Sequence, residues 1–400
     1  MKVLLLCGFF AKENEKEVIE HARGSVEFSA NEFQRKLILG LQAQKQELYV
    51  VSAPFIGSYP NASDIRAFRG FRDAQNVCRY VPFNNTWGLR NFSRAQQLKR
   101  AIRFFVEMDD PDKRIIVYCA HTPFLEAAAW AKKKDLRIHI SFYVPDLPDY
   151  MNLSADRSKL YDIAKAFDIA IMRRHMEAVD SFILLTEPMK GMLPVGEKPY
   201  LVREGILESN QISKSAITDT QEDGCKYIVY TGKLYAKFGI PELVDGFSLL
   251  NQEDFRLVLC GDGDCMDYVR HTAEKDPRVM VLGQVAPEQA LQWQRRASVL
   301  VNPRRDNEIY TQYSFPSKNI EYLMTGKPVV AYKLSGMPDF YREFLYEISG
   351  DAPEAIADAL QKALTASPAE TYDKHMAFMS YAEEKLKAEH IAQAILEITA

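Results

Sequence analysis

Cysteine pairs, histidine clusters and long apolar runs are all missing from this sequence. Its six cysteines, Cys7, Cys78, Cys119, Cys225, Cys260 and Cys265, are scattered over 400 positions with no C-x-x-C pair, and the seven histidines do not cluster. Neither a disulfide framework nor a zinc site is indicated, and a reducing compartment is the simpler reading. No run approaches the roughly 20 apolar residues that span a bilayer. The opening MKVLLLCGFF is only briefly apolar and runs into the charged AKENEKE without a small-residue cleavage region. A cytoplasmic chain is therefore expected, meeting a membrane only as a peripheral protein on its inner face. An excess of one charge is lacking too: 50 basic against 54 acidic residues leave a net −4, which argues against general nucleic-acid binding. Solenoid-period repeats and low-complexity tracts are also absent.

What is present is apolar content, 47% of the chain, enough at this length for more than one core. Charge is uneven along it. Residues 1–200 hold 29 basic and 24 acidic side chains, net +5, and residues 201–400 hold 21 and 30, net −9. Halves so different are expected to meet different partners. KVLLLC, LYVVSA, RIIVYCA, IHISFYV and FILLT in the first half, and KYIVYTG, FRLVLCG, RVMVLG, SVLVNP and KPVVAY in the second, are short near-continuous apolar runs. Such runs read as parallel strands buried on both faces, with helices between them. The prediction is α/β, two doubly wound Rossmann-like domains. A polar, turn-rich stretch between Leu193 and Asp223 places the boundary, giving domains at 1–205 and 206–374. A helical pattern over about 375–400 is suited to packing back on the first domain.

The stretch SFPSKNIEYLMTGKPVVAY reads as a helix feeding a buried strand. Helical spacing puts Ile320, Leu323 and Met324 on one face and Lys318, Glu321, Tyr322 and Thr325 on the other, with Gly326 as a C′ cap and Pro328 blocking continuation. The amides and hydroxyls of Ser314, Phe315, Pro316 and Ser317 at its start suit an anion such as a diphosphate. The alternative is an ordinary i,i+3 surface pair of Lys318 and Glu321. Upstream, SVLVNP is followed by RRDNEIYTQY, a polar loop of about ten residues where two to six are usual. Long loops at strand ends bind ligands in open α/β sheets, and Arg304 and Arg305 could clamp phosphate there. The loop YTGKLYAKFGIPEL carries Gly232 for a tight turn, with Lys233 and Lys237 one helical turn apart, suited to neutralising a diphosphate. In LCGDGDCM, Asp262 and Asp264 read as a turn capping the next helix rather than as metal ligands.

In the first half, His121 in YCAHTPFLEAA stands at a strand end before a helix, and Asp146 and Asp149 follow the next strand in YVPDLPDYM. Residues 64–105 hold nine basic side chains, among them Arg66, Arg69 and Arg72, against Asp64 and Asp73, a net +7, interleaved with aromatics such as Phe68, Phe83, Trp87, Phe92 and Phe105. That mixture fits an anionic membrane surface or a phosphate-bearing lipid, and single-stranded RNA would suit it too; the alternative is an amphipathic helix whose aromatics are core.

Taken together, SFPSKNIEYLMTGKPVV, the NPR before it and the TGK and GDG turns resemble the second domain of family-4 retaining glycosyltransferases of the GT-B fold, of the bacterial envelope or capsular polysaccharide type. The match is close over about 200–345 and loose over 1–200, through ANEFQRKLILGL, AHTP, DLPDYM and REGI. The resemblance implies a GT-B chain with an interdomain cleft, a first domain that binds the acceptor and a second that binds a nucleotide-diphosphate sugar. It implies that Glu321 holds the nucleotide ribose, that Lys233, Lys237 and the amides of 314–317 meet the diphosphate, beside the loop's Arg304, and that His121 faces the donor sugar. Lys318 joins the expected donor-binding set. The family's first motif glutamate falls at Tyr313, with Glu308 or Asp306 as substitutes for contact with the donor sugar. Asp146, Arg66, Arg69 and Arg72 are candidates for the acceptor.

The expected activity is a metal-independent, retaining transfer of a sugar from a UDP- or GDP-linked donor to a glycan or lipid-linked acceptor hydroxyl. The donor is a substrate; no cofactor is implied. A nucleotide-sugar epimerase of the same fold and a non-catalytic nucleotide-sugar-binding module are the alternatives.

Overall fold

The computed structural model describes residues 1–24, 26–73, 77–150, 159–213 and 224–398, so the 214–223 part of the expected boundary stretch lies outside the described residues. The chain forms two compact units: Met1–Glu208 with Leu386–Ala400, and Ser209–Lys385.

In the first unit the strands are β1 Lys2–Cys7, β2 Glu47–Ser52, β3 Ala67–Phe68, β4 Phe71–Arg72, β5 Cys78–Tyr80, β6 Phe83–Asn84, β7 Lys113–Tyr118, β8 His139–Val144, β9 Ser181–Leu184 and β10 Tyr200–Val202. Eight of them make one sheet in the order β10-β9-β8-β7-β1-β2-β5-β4, and β3 and β6 form a separate antiparallel ribbon. The central pairs are parallel, with Leu4 opposite both Tyr49 and Ile115. Every residue of β7 is buried, as the near-continuous apolar runs predict for strands covered on both faces. The chain moves from β1 outward through β2 to one edge, then returns to β7 and runs to the other. The order therefore reverses between β1 and β7, and the carboxyl ends of those two strands flank the crevice where this architecture binds ligands.

The second unit repeats the plan with β11 Lys226–Thr231, β12 Phe255–Cys260, β13 Val279–Gly283, β14 Val299–Asn302, β15 Val329–Ala331 and β16 Tyr346–Glu347, in the order β13-β12-β11-β14-β15-β16. All its pairs are parallel. Ile228, Leu257 and Val299 from the strands meet Leu243, Phe247, Ile356 and Leu360 from the covering helices in one core. Here the order reverses between β11 and β14, so the loops after Thr231 and Asn302 flank the crevice.

The pattern over 375–400 is divided between three elements: helix Pro368–Tyr381, a π-helical turn Ala382–Leu386 and helix Ala388–Glu397. The last belongs to the first unit. Its N-terminal Ala388 N–H donates to Leu207 O at 2.8 Å, Gln44 Nε2 donates to Glu389 O at 2.9 Å, and the Arg114 guanidinium donates to Ile395 O.

Candidate functional site

In the second unit the crevice between β11 and β14 collects the polar groups. Thr231 ends β11, and its backbone N–H donates to the Tyr322 hydroxyl at 2.9 Å. Its Oγ1 accepts from Gln294 Nε2 at 2.9 Å and from Lys318 Nζ at 3.4 Å. The same Gln294 Nε2 donates to Glu321 Oε1 at 2.5 Å, and Lys318 Nζ stands 3.9 Å from Glu321 Oε2. Three elements thus meet on one threonine: the strand end, helix Pro287–Arg296 and helix Ser317–Leu323. Lys318 and Glu321 sit on the half-open side of the short helix as the spacing predicts. Tyr322 does not: it is fully buried, because its hydroxyl satisfies the buried Thr231 amide. Asn319 is buried as well, accepting at Oδ1 from Asn302 Nδ2 at 2.6 Å, which ties the helix to the end of β14.

The loop from Gly232 to Gly239 lies backbone to backbone on the turn after β12. Gly232 N–H donates to Cys260 O at 2.8 Å, and Leu234 N–H donates to Asp262 O at 3.0 Å. Gly261, at φ +149°, comes so near that a Cβ there would fall 1.7 Å from Gly232 O. Asp264 accepts the Ala236 N–H at 2.8 Å. The aspartates therefore pin this loop and leave helix Met266–Lys275 without a side-chain cap, contrary to the capping role expected of them. Lys233 and Lys237 are both exposed. They do not share a helix face, because residues 233–235 are irregular and only Ala236–Phe238 forms a 3-10 turn. The Lys237 ammonium lies 5.5 Å from the ring centres of Tyr235 and Phe238.

Past β14, Arg304 is half-buried and donates to Ser314 Oγ at 3.1 Å, lying over the Phe238 and Tyr310 rings. Burial pushes its pKa below the ordinary arginine value. Arg305, the other expected phosphate clamp, is committed elsewhere: it pairs with Glu242 at 3.2 Å and donates to Asp351 O at 2.6 Å. Asp306 accepts the Ser335 N–H at 2.8 Å, whereas Glu308 is exposed ahead of the 3-10 turn Ile309–Tyr313. Tyr313 ends that turn half-buried. In the SFPS stretch, Ser314 N–H is spent on Thr311 O at 3.2 Å and Pro316 has no N–H, so the free amides come from Phe315 and Ser317. The Phe315 ring is core, 5.0 Å from Tyr341.

Within the first unit, His121 stands past β7 as the N-cap of helix Thr122–Lys134, following Cys119 at φ +69°. Its Nε2 lies 3.4 Å from Arg94 NH1, and its Nδ1 is enclosed without a partner. Arg94 belongs to the buried stripe of helix Arg90–Glu107, with Leu98, Ala101, Ile102 and Phe105, and donates to Pro54 O at 2.6 Å. Burial first, then the charges of Arg94 and Arg90, hold the His121 pKa well below its ordinary value. Asp146 is exposed after β8, and Asp149 pairs with Arg173 at 3.1 Å. The basic stretch divides: Phe68 stacks on Phe83 at 5.3 Å and Phe105 is core, whereas Trp87, Leu89 and Phe92 are 51%, 57% and 69% exposed. Arg66, Arg69 and Arg72 are exposed, Arg66 O accepting from the Asn85 N–H at 2.9 Å.

The sequence reading misplaced Tyr322 and missed Thr231, Gln294 and the Asn302–Asn319 pair. Thr231 carried a signal, a polar residue closing an apolar strand before glycine. Gln294 carried none, being one of three glutamines in a polar helix. Among the described residues no group of three or more His, Cys, Asp or Glu could hold a metal ion, and no helix is long and apolar enough to cross a membrane.

No curated protein matches the sequence. Several solved structures match its fold over nearly the whole chain. Sucrose-phosphate synthase from Thermosynechococcus elongatus is 16% identical, with a TM-score of 0.62, 99% of this chain covered and 97% of that one. HepE from Anabaena in complex with UDP is 14% identical at a TM-score of 0.59, with 99% of each chain covered. The lipopolysaccharide outer core galactosyltransferase WaaB is 14% identical at 0.55, covering 99% and 95%. The fold is therefore GT-B, and residues 225–366, which include both crevice loops of the second unit, match the family described as Glycosyl transferases group 1.

Proposed function

We propose that the protein is a glycosyltransferase that moves a sugar, of the hexosyl or related kind, from a nucleotide-diphosphate donor to an acceptor hydroxyl. The observation that carries this reading is the placing of Gly232, Arg304, Lys318 and Glu321 around the β11/β14 crevice, where a carboxylate flanks cations at the point where the strand order reverses. Glu321 suits the ribose hydroxyls. Arg304, Lys318, Lys233 and Lys237, with the Phe315 and Ser317 amides, suit the diphosphate, and Glu308 and Tyr313 the donor sugar. The match of residues 225–366 supports the same assignment, and HepE, of the same fold, was solved with UDP and glucose, which favours a uridine donor.

In this mechanism the bond from the anomeric carbon to the phosphate oxygen breaks and the nucleoside diphosphate leaves. The acceptor oxygen bonds to the same face of the sugar, and its proton passes to the departing phosphate, so configuration is retained. The cations stabilise the charge that develops on the leaving group, a role that needs no metal ion. In the first unit, the crevice of His121, with Asp146, suits the acceptor. Its exposed Trp87, Leu89 and Phe92 and the exposed Arg66, Arg69 and Arg72 suit an anionic membrane surface carrying a lipid-linked glycan intermediate of the cell envelope or a polysaccharide.

A thermal-shift screen of UDP, GDP and their sugars tests the donor assignment, since a ligand that binds only the folded protein raises its melting temperature. Stabilisation by a nucleoside diphosphate is expected, and product analysis of the stabilising sugar nucleotide with and without acceptors follows. A new nucleotide sugar formed without acceptor would replace transfer with epimerisation. Binding to anionic vesicles should fall when Arg66, Arg69 and Arg72 are neutralised; unchanged binding would remove that surface.

A further inference from the structure

We infer that Gln294 is a positioning residue that fixes the Glu321 carboxylate, and through it the preference of the site for a nucleotide with ribose hydroxyls. The inference rests on the proposed nucleotide-binding role of the crevice. Gln294 is 1% exposed and reaches the site from helix Pro287–Arg296. Its Nε2 donates to Thr231 Oγ1 at 2.9 Å and to Glu321 Oε1 at 2.5 Å, which uses both of its N–H groups. These two acceptors also fix the amide orientation, because the reversed amide would set its oxygen against a carboxylate.

Two features separate this from ordinary packing. Gln294 Oε1 is buried without a partner, a cost that a leucine or methionine of similar size would not carry. Glu321, by contrast, is 44% exposed, and a glutamate so placed on a helix surface normally samples several rotamers. Here one carboxylate oxygen is tied to the buried amide and the other is near Lys318 Nζ, at 3.9 Å. The carboxylate is held in one pose before any ligand arrives, with remaining lone pairs free to accept from the two hydroxyls of a cis-diol. A buried polar group with an unsatisfied atom is retained, on this view, for the order it imposes on its exposed neighbour.

The test is calorimetric titration of UDP and GDP, and of their 2′,3′-dideoxy analogues, into wild type, Gln294→Met, Gln294→Leu, Glu321→Ala and the Gln294→Met/Glu321→Ala double variant. The two Gln294 substitutions guard against one of them failing to fold. Gln294→Met should weaken the ribonucleotide by about tenfold or more and the dideoxy analogue by less than about twofold. In the Glu321→Ala background it should weaken neither further. Equal weakening of both analogues, or no weakening where Glu321→Ala does weaken the ribonucleotide, overturns the inference and leaves the nucleotide site standing. Failure of UDP and GDP to bind wild type, or unchanged affinity in Glu321→Ala, overturns the site assignment and the inference with it.

Discussion

Glu321 leaves 44% of its side chain in solvent, so its removal exposes little and creates no cavity. Glu321→Ala should therefore cost only the Gln294 N–H it leaves unpaired, a few degrees in melting temperature, while lowering nucleoside diphosphate affinity about tenfold to a hundredfold, measured by calorimetry beside a melting curve. Tyr322 is the opposite case on the same helix. It is fully buried and accepts the Thr231 N–H, so Tyr322→Phe strands a buried donor and should cost about 1–3 kcal/mol in urea unfolding. Periodicity made Lys318 and Glu321 legible because half-open positions follow helical spacing. It misplaced Tyr322 because one long side chain can turn inward to satisfy a strand amide. Gln294 was invisible for a related reason: its partners lie on two other elements, and no local pattern encodes them.

At the level of elements, the strands were the most legible part of the chain. Parallel strands buried on both faces leave an unbroken apolar signature, and KYIVYTG and SVLVNP each contain the strand they predict, β11 and β14. The loops were less legible, since what fixes them is backbone meeting backbone. The turn at Gly261 lies against Gly232 with no room for a side chain, a constraint that a lone glycine in the sequence does not advertise. Gly261→Ala adds a Cβ against the Gly232 carbonyl at a φ that L side chains rarely adopt. It should cost about 3 kcal/mol or more and abolish the nucleotide-induced thermal shift, read in one melting series with and without ligand. Arg305 shows the same limit from the other side: beside Arg304 in sequence, it is drawn off to Glu242 and Asp351 by the folding of its loop.

For the whole molecule, stability should depend on acidity through two partly buried imidazoles of the first unit. Burial lowers the pKa of His139 to about 4 and holds that of His121 well below its ordinary value. Each is neutral in the folded chain at a pH where the unfolded chain takes up a proton near 6.5. Stability is then intact above about pH 6.5 and falls as pH drops toward the folded value. Urea unfolding at pH 7 and pH 5 should show that loss in wild type and a smaller one in His139→Gln. The larger topology was partly legible: the two sets of strands were, and the last helix was expected on the first unit, but its start at Ala388 rather than near 375 depends on contacts with residues far away in sequence. One of them is at Gly40, where a Cβ would fall 2.2 Å from Ala388 O, so Gly40→Ala should destabilise the first unit through a segment more than three hundred residues distant.

That segment also sets an order of events in synthesis. Leu386–Ala400 is translated after the whole of Ser209–Lys385, yet it packs into the same unit as Met1–Glu208. Ile391, Ile395 and Leu396 are buried in the first unit, and until they emerge from the ribosome the helix Phe28–Gln42 lacks part of its covering. The unit made second can therefore finish folding before the unit made first. A chain cut back to end at Lys385 should resist protease over the second unit and be cleaved within the first, whereas the chain through Ala400 should resist over both.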